Sequence, residues 1–121
     1  MGHGLVRAWR ITSSREIREL FRGGKREETR HLDVFMAPSP ASFPRLGVVV
    51  PRHRQSAVAR NRLKRRLREI GRTEALPALR QRGRRLDLLI RARPSAYGAA
   101  FDELAGGLAR LIEKVCSHGD C

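Results

Sequence analysis

The sequence predicts a mixed α/β or α+β fold, a single β-sheet with helices packed on it. Three observations predict it. Two short apolar runs, Val48-Val49-Val50 and Leu88-Leu89-Ile90, read as strands with continuous apolar cores. Other segments place apolar residues at i, i+3 and i+4, the spacing of one helical face. The two kinds of segment interleave along the chain as helix, two or three strands, helix, strand, helix. With 121 residues, 40% of them hydrophobic, the chain suits one domain that can bury a core without disulfides or metals.

Met1–Arg10 reads as a loose basic lead-in. Ser13-Ser14-Arg15-Glu16 fits a capping box, and Ile17, Leu20 and Phe21 give the helix behind it one apolar face. Gly23-Gly24 ends that helix. Arg30–Ala37 is predicted as a strand, Pro38–Pro44 as a loop, and Arg45–Val50 as a second strand ended by Pro51. A long helix is predicted over Ala57–Arg72. Pro77 limits any helix in Thr73–Gly83 to a first turn or a break. Leu86–Ala92 is a further strand. Pro94-Ser95, with Ser95 as N-cap, opens a last helix whose stripe is Phe101, Leu104, Leu108, Leu111, Ile112 and Val115, weakened locally by Gly106-Gly107. Residues 1–116 are expected to form one domain and residues 117–121 a tail.

Charge is the strongest functional signal. Lys+Arg number 26 against 12 acids, a net +14, so the chain attracts polyanions. Arginine codon bias explains why 23 of the 26 are Arg, but not their placement. Pro51–Arg93 holds 15 basic residues and three acids, a net +12, whereas Pro94–Cys121 nets −2. The two cysteines, Cys116 and Cys121, are too few and too late to make a disulfide framework, and a cytoplasmic location is the default. No signal core or membrane-length apolar run is present.

Placed on a helix, Ala57–Arg72 separates cleanly. Ala59, Leu63, Leu67 and Ile70 form the buried stripe. Arg60, Asn61, Lys64, Arg65 and Arg68 share an adjacent face, with Arg62, Arg66 and Glu69 on the remaining flank. Arg60/Lys64, Lys64/Arg68 and Arg62/Arg66 are like-charge i, i+4 pairs that each cost about 0.2–0.5 kcal/mol. Arg60 also opposes the helix dipole. Only Arg65/Glu69 offers an opposite-sign i, i+4 pair. A bound polyanion removes these costs, so the face reads as a phosphate-binding surface, with Asn61 able to position a backbone or base edge. The stripe lacks the Trp or Phe of a membrane-surface helix.

Arg60-Asn61-Arg62-x-Lys64-Arg65-x-x-Arg68-Glu69 resembles the RNR signature of the bacterial ribonuclease P protein subunit. The flanks match in order. Ile17–Gly24 occupies the place of the family's Phe-x-x-x-Phe-x-x-Gly helix, and Arg45–Val50 and Leu86–Arg91 resemble the strands on either side of the motif. The resemblance covers about residues 10–116. Ile17 stands where the family has an aromatic. The loop Pro51-Arg52-His53-Arg54-Gln55-Ser56-Ala57 lacks the family's glycine, so a reshaped loop with the same phosphate role, through Arg52 and Arg54, is expected.

The resemblance implies an α+β sandwich of order α-β-β-β-α-β-α, similar to the second domain of ribosomal protein S5. Its four-stranded sheet has a left-handed crossover, although the general rule predicts a right-handed one. It also implies that an RNA subunit carries catalysis with RNA-held Mg²⁺, while the protein, binding no cofactor itself, assists removal of the 5′ leader from precursor tRNA. In that scheme the RNR helix packs on the catalytic RNA. The leader occupies a cleft lined by Ile17, Phe21 and Phe35, the two phenylalanines being candidate stacking platforms at about 1–3 kcal/mol per base.

Autonomous nuclease chemistry is not supported by the residues. Asp33 and Asp87 lie on strands without a third acid to hold paired ions. His3, His31, His53 and His118 are scattered, with His31 and His53 read as exposed bystanders, the alternative being contact with RNA. Arg22-Gly23-Gly24-Lys25 lacks the spacing of a phosphate-binding loop. A small ribosomal protein is the alternative reading. A DNA-binding helix-turn-helix is disfavoured by the strands on both sides of the helix, and neither DNA nor membrane is expected as a partner.

Overall fold

Burial alternates along the strands, and that alternation decides the architecture. Strand β2 (Leu32–Pro38) turns Leu32, Val34 and Met36 to one side and Phe35 and Ala37 to the other. Strand β4 (Leu86–Ala92) does the same with Leu86, Leu88, Ile90 and Ala92 against Leu89. In the computed structural model, which describes residues 7–117, these central strands pair antiparallel with Phe35 opposite Leu89 and Asp33 opposite Arg91. Strand β1 (Lys25–Glu28) adds antiparallel to β2, and β3 (Arg45–Val49) adds parallel to β4, giving the order β1-β2-β4-β3.

The larger core lies on the helix-covered side, where β2, β3 and β4 meet α2 (Ala57–Ile70), α3 (Leu76–Gln81) and α4 (Phe101–Ser117). The smaller core lies on the opposite side, where α1 (Ser14–Gly23) rests Ile17, Leu20 and Phe21 on Phe35, Leu89 and Val49. Among the described residues, no helix is long and apolar enough to cross a membrane.

Helix α1 starts as expected, with the Glu16 amide donating to the Ser13 hydroxyl at 3.3 Å. The second half of the capping box is replaced by a tertiary contact: the Glu16 carboxylate accepts from the Arg45 guanidinium at 2.8 Å, tying α1 to β3. Helix α2 is capped by Ser56, whose hydroxyl accepts from the Ala59 amide.

Several expectations are corrected in and around the C-terminal half. The helical run does not end at Arg72: a π-helical turn over Gly71–Ala75 joins α2 to α3. Pro77 is accommodated because it falls in the first turn of α3, where the π-turn has interrupted the α-helical ladder. Ser95 is not an N-cap, since Pro94–Gly98 is a separate 3-10 segment and α4 begins at Phe101. Ser95 instead lies 2.8 Å from Nδ1 of His31. His31 is correspondingly buried, not an exposed bystander. Its Nε2 lies 3.5 Å from Glu103, whose carboxyl is held below its ordinary range by the Ala100 amide and by His31. Phe101 is 40% exposed, whereas the rest of the α4 stripe is buried and the helix runs through Gly106-Gly107 unbroken.

The described part of the lead-in is docked, not loose. Trp9 ends a short 3-10 turn and packs against the larger core, and the Ile11 amide donates to the Leu46 carbonyl at 2.8 Å. The segment thereby covers part of the outer edge of β3. Residues 1–6 and the tail beyond residue 117 lie outside the described part.

Gly71 is required by packing. A Cβ there would come within 2.1 Å of Cδ2 of Leu46, itself fully buried. Gly71→Ala is expected to lower stability by about 1–2 kcal/mol, because overpacking outweighs the roughly 1 kcal/mol that alanine ordinarily gains over glycine in a helix. Urea unfolding measures this, and an unchanged midpoint would mean that Leu46 repacks freely.

Candidate RNA interface

The α2 face has the predicted layout. Leu63, Leu67 and Ile70 are buried, and Ala59 is half-buried beside them. Asn61, Arg62, Arg65 and Arg66 are exposed, whereas Arg60, Lys64 and Arg68 lay their stems along the protein and are half-buried. Arg60 donates from Nε to the Val50 carbonyl at 2.7 Å, which fixes its direction. Burial and the neighbouring Arg68 and Arg60 lower the affinity of Lys64 for its proton. Burial and Arg10 act in the same direction on Arg68. The expected Arg65/Glu69 pair does not form. Glu69 is taken by Arg72 one turn on, with Nε at 3.2 Å, because the helix continues past Ile70 and brings Arg72 to i+3. Among the described residues, the α2 cations from Arg60 to Arg68 therefore have no carboxylate partner.

The loop that lacks the family's glycine holds its charge at the surface. Arg52 and Arg54 are exposed, and the Gln55 amide donates to the Arg52 carbonyl at 2.8 Å. His53 and Arg54 hold the two central positions with φ of 48° and 67°, in the left-handed region where a glycine would be unstrained. Tyr97 steadies the loop by donating to the Pro51 carbonyl at 2.7 Å, with the His53 ring edge-on to it.

On the other side of the sheet, the predicted cleft residues come together. The rings of Phe21 and Phe35 meet edge to face with centroids 4.9 Å apart, and Ile17 packs in the same cluster. Phe35 is only 5% exposed, so it is a packed support and not an open stacking platform; Phe21, half-buried, is the accessible ring. Burial follows from register, since Phe35 sits on a central strand directly beneath α1.

The sequence reading missed the arginines of this face. The Arg91 guanidinium lies 5.2 Å from the Phe21 ring centre and 5.3 Å from that of Phe35, within cation–π range. It is held there by Asp33, at 3.1 Å, which also accepts from Arg26 and Arg93. Asp87 is likewise occupied by Arg45. Both strand acids are thus structural anchors for arginine. Period-two alternation could have found Arg91, which shares the Leu89 face of β4 as Asp33 shares the Phe35 face of β2.

A cavity of about 220 Å³ lies between the two regions, lined by Arg10, Ile11, Ile17, Gly47, Lys64 and Arg68. The cleft side of α1 and the α2 face are therefore neighbouring parts of one basic surface.

A family model described as Ribonuclease P matches residues 5–116. The chain belongs to the ribonuclease P protein family. It is 33% identical over 111 residues to the ribonuclease P protein component of Acidothermus cellulolyticus, covering 88% of each chain. It is 36% identical over 96 residues to that of Kocuria rhizophila, covering 79% of this chain and 81% of the relative. The ribonuclease P protein of Thermotoga maritima superposes with a TM-score of 0.70 at 26% identity, over 87% of this chain and 96% of that one. That of Staphylococcus aureus superposes at 0.73 and 22% identity, over 91% and 96%, a likeness of fold. The known function of ribonuclease P proteins is tRNA 5′-end processing together with an RNA subunit.

Proposed function

We propose that this chain acts as the helper subunit of a catalytic RNA in the cytoplasm, promoting removal of the 5′ leader from precursor tRNA. The unpaired cationic face of α2 carries the reading: six basic side chains on one helix have no carboxylate partner among the described residues. Such a face costs stability in the isolated protein and is relieved by phosphate. In this reading Arg60, Asn61, Arg62, Lys64, Arg65 and Arg68 hold the catalytic RNA, with Arg52 and Arg54 on adjoining phosphates. The leader runs past Ile17 and Phe21, where Arg91 offers a guanidinium beside an accessible ring. Phe35 supports that ring from below. The strand acids are engaged by arginine, so the reaction's Mg²⁺ is assigned to the RNA and no protein side chain to bond cleavage.

Reconstitution tests this. Mixed with a bacterial ribonuclease P RNA at low Mg²⁺, the protein is expected to raise cleavage of a precursor tRNA. It should also bind precursor more tightly than leaderless tRNA. No gain in either would overturn the proposal.

A further inference from the structure

The α2 face and the cleft leave one strongly basic segment unused. Arg80-Gln81-Arg82-Gly83-Arg84-Arg85 ends α3 and leads into β4, with four arginines in six residues. The segment is built, not loose. The Gly83 amide donates to the Arg80 carbonyl at 3.0 Å and the Arg84 amide to that of Leu79 at 2.9 Å. Gly83 supplies the positive φ of 67° that closes the helix, and the Ser39 amide donates to the Arg85 carbonyl at 2.9 Å. Among the described residues, no carboxylate pairs with any of the four arginines.

This segment is linked to the α2 face through the lead-in. The Arg80 guanidinium stacks 3.8 Å from the Trp9 ring centre, and the next residue, Arg10, lines the same cavity as Lys64 and Arg68. Cations therefore follow one another from Lys64 through Arg68, Arg10 and Arg80 to Arg82 and Arg85. Lys64 lies midway along α2 and Arg82 at the far end of α3, beyond the π-turn, so the two ends meet different phosphates.

We propose that Arg80, Arg82, Arg84 and Arg85 form a second phosphate-binding patch, which continues the α2 face and grips the backbone of the same RNA at a second place. The proposal rests on the reading of α2 as an RNA face. The patch reads backbone and not bases, because its one aromatic, Trp9, already has a face covered by Arg80, and Gln81 is its only amide side chain. A membrane is disfavoured because, among the described residues, the exposed large hydrophobics Val58 and Phe101 lie on other segments.

The test replaces Arg82 and Arg85, two exposed arginines whose side chains make no ion pair or hydrogen bond among the described residues. Arg82→Gln/Arg85→Gln is compared with Arg62→Gln/Arg65→Gln on α2, each in the full chain binding a bacterial ribonuclease P RNA across a salt titration. Each pair is expected to make the plot of log K against log salt shallower by about two units, near 0.9 per phosphate, with thermal melting no lower than wild type. An unchanged slope for the Arg82/Arg85 pair, beside a shallower one for the α2 pair, overturns the second patch and leaves the α2 reading standing. Unchanged slopes for both overturn the two together. A cleaving iron chelate tethered at Arg82→Cys should cut the RNA locally, and absence of cutting would count equally against the patch.

Discussion

Lys64→Gln/Arg68→Gln is expected to make the isolated protein more stable while weakening its hold on RNA about a hundredfold. The stability gain follows from charge. Arg60/Lys64 and Lys64/Arg68 are like-charge i, i+4 pairs, each costing about 0.2–0.5 kcal/mol. Both residues are half-buried, and Arg10 adds a third cation beside Arg68. A gain of about 0.5–1 kcal/mol is the result, read as a higher midpoint in chemical denaturation. The affinity loss follows because a hydrogen bond to a charged group is worth about 1.5 kcal/mol or more, and two such losses make roughly a hundredfold.

The sign of the pH effect is fixed. Lys64 is held below its ordinary value of 10.5, first by burial and then by Arg68 and Arg60. Its cost to folding is full where both folded and unfolded forms are protonated. That cost disappears as pH rises through the folded value toward 10.5, so the advantage of the variant should shrink with rising pH. Intact RNA binding together with lost stability would make these residues structural.

Most of the α2 face was legible because a helix projects its sequence onto its surface by a fixed rotation. The like-charge spacing and the Leu63–Leu67–Ile70 stripe needed no tertiary information. The fate of Glu69 did, since its partner depends on whether the helix continues past Ile70, and that depends on Gly71 lying against Leu46. The cleft was legible only in part. Ile17, Phe21 and Phe35 do converge, but the depth of Phe35 depends on β2 being a central strand under α1. The role of Arg91 depends on antiparallel register with Asp33, which strand propensity does not encode. Strand β1 was the hardest to locate. Lys25-Arg26-Glu27-Glu28 has no apolar residue and is a strand because it pairs with β2, with Arg26 and Glu28 joining the Asp33 arginine network.

The sheet thus gives its two sides different work. The apolar side is covered by helices and provides the stability that lets α2 keep an unfavourable charge pattern. The other side is covered by a single helix, and its exposed remainder is organised by ion pairs: Arg45 bridges Asp87 and Glu16, and Asp33 gathers three arginines. Arginine held by a buried carboxylate keeps a fixed direction, which a nucleic-acid surface needs more than it needs mobile charge.

Asp33→Asn is therefore expected to be the most damaging isosteric change on the cleft side. The Asp33 side chain is 7% exposed and accepts from Arg26 at 3.2 Å, Arg91 at 3.1 Å and Arg93 at 3.0 Å. Removing one member of a buried ion pair costs about 3–5 kcal/mol, but here the arginines are 48%, 35% and 33% exposed and water recovers part of it, so about 2–3 kcal/mol is expected. Burial alone would push this carboxyl up, yet the three guanidinium hydrogen bonds together outweigh it and hold it below its ordinary 3.8. The stabilisation is then complete above that ordinary value and is lost as pH falls through the lower folded one. Wild-type protein should lose its advantage over the variant in that acid window, as followed by denaturation at neutral and acid pH. Function should suffer as well, because Arg91 loses the anchor that holds it beside Phe21 and Phe35. Binding of precursor tRNA should fall toward that of leaderless tRNA, while affinity for the RNA subunit, held by α2, stays near wild type. A variant as stable as wild type at neutral pH, with unchanged leader discrimination, would mean that the Asp33 network does neither job.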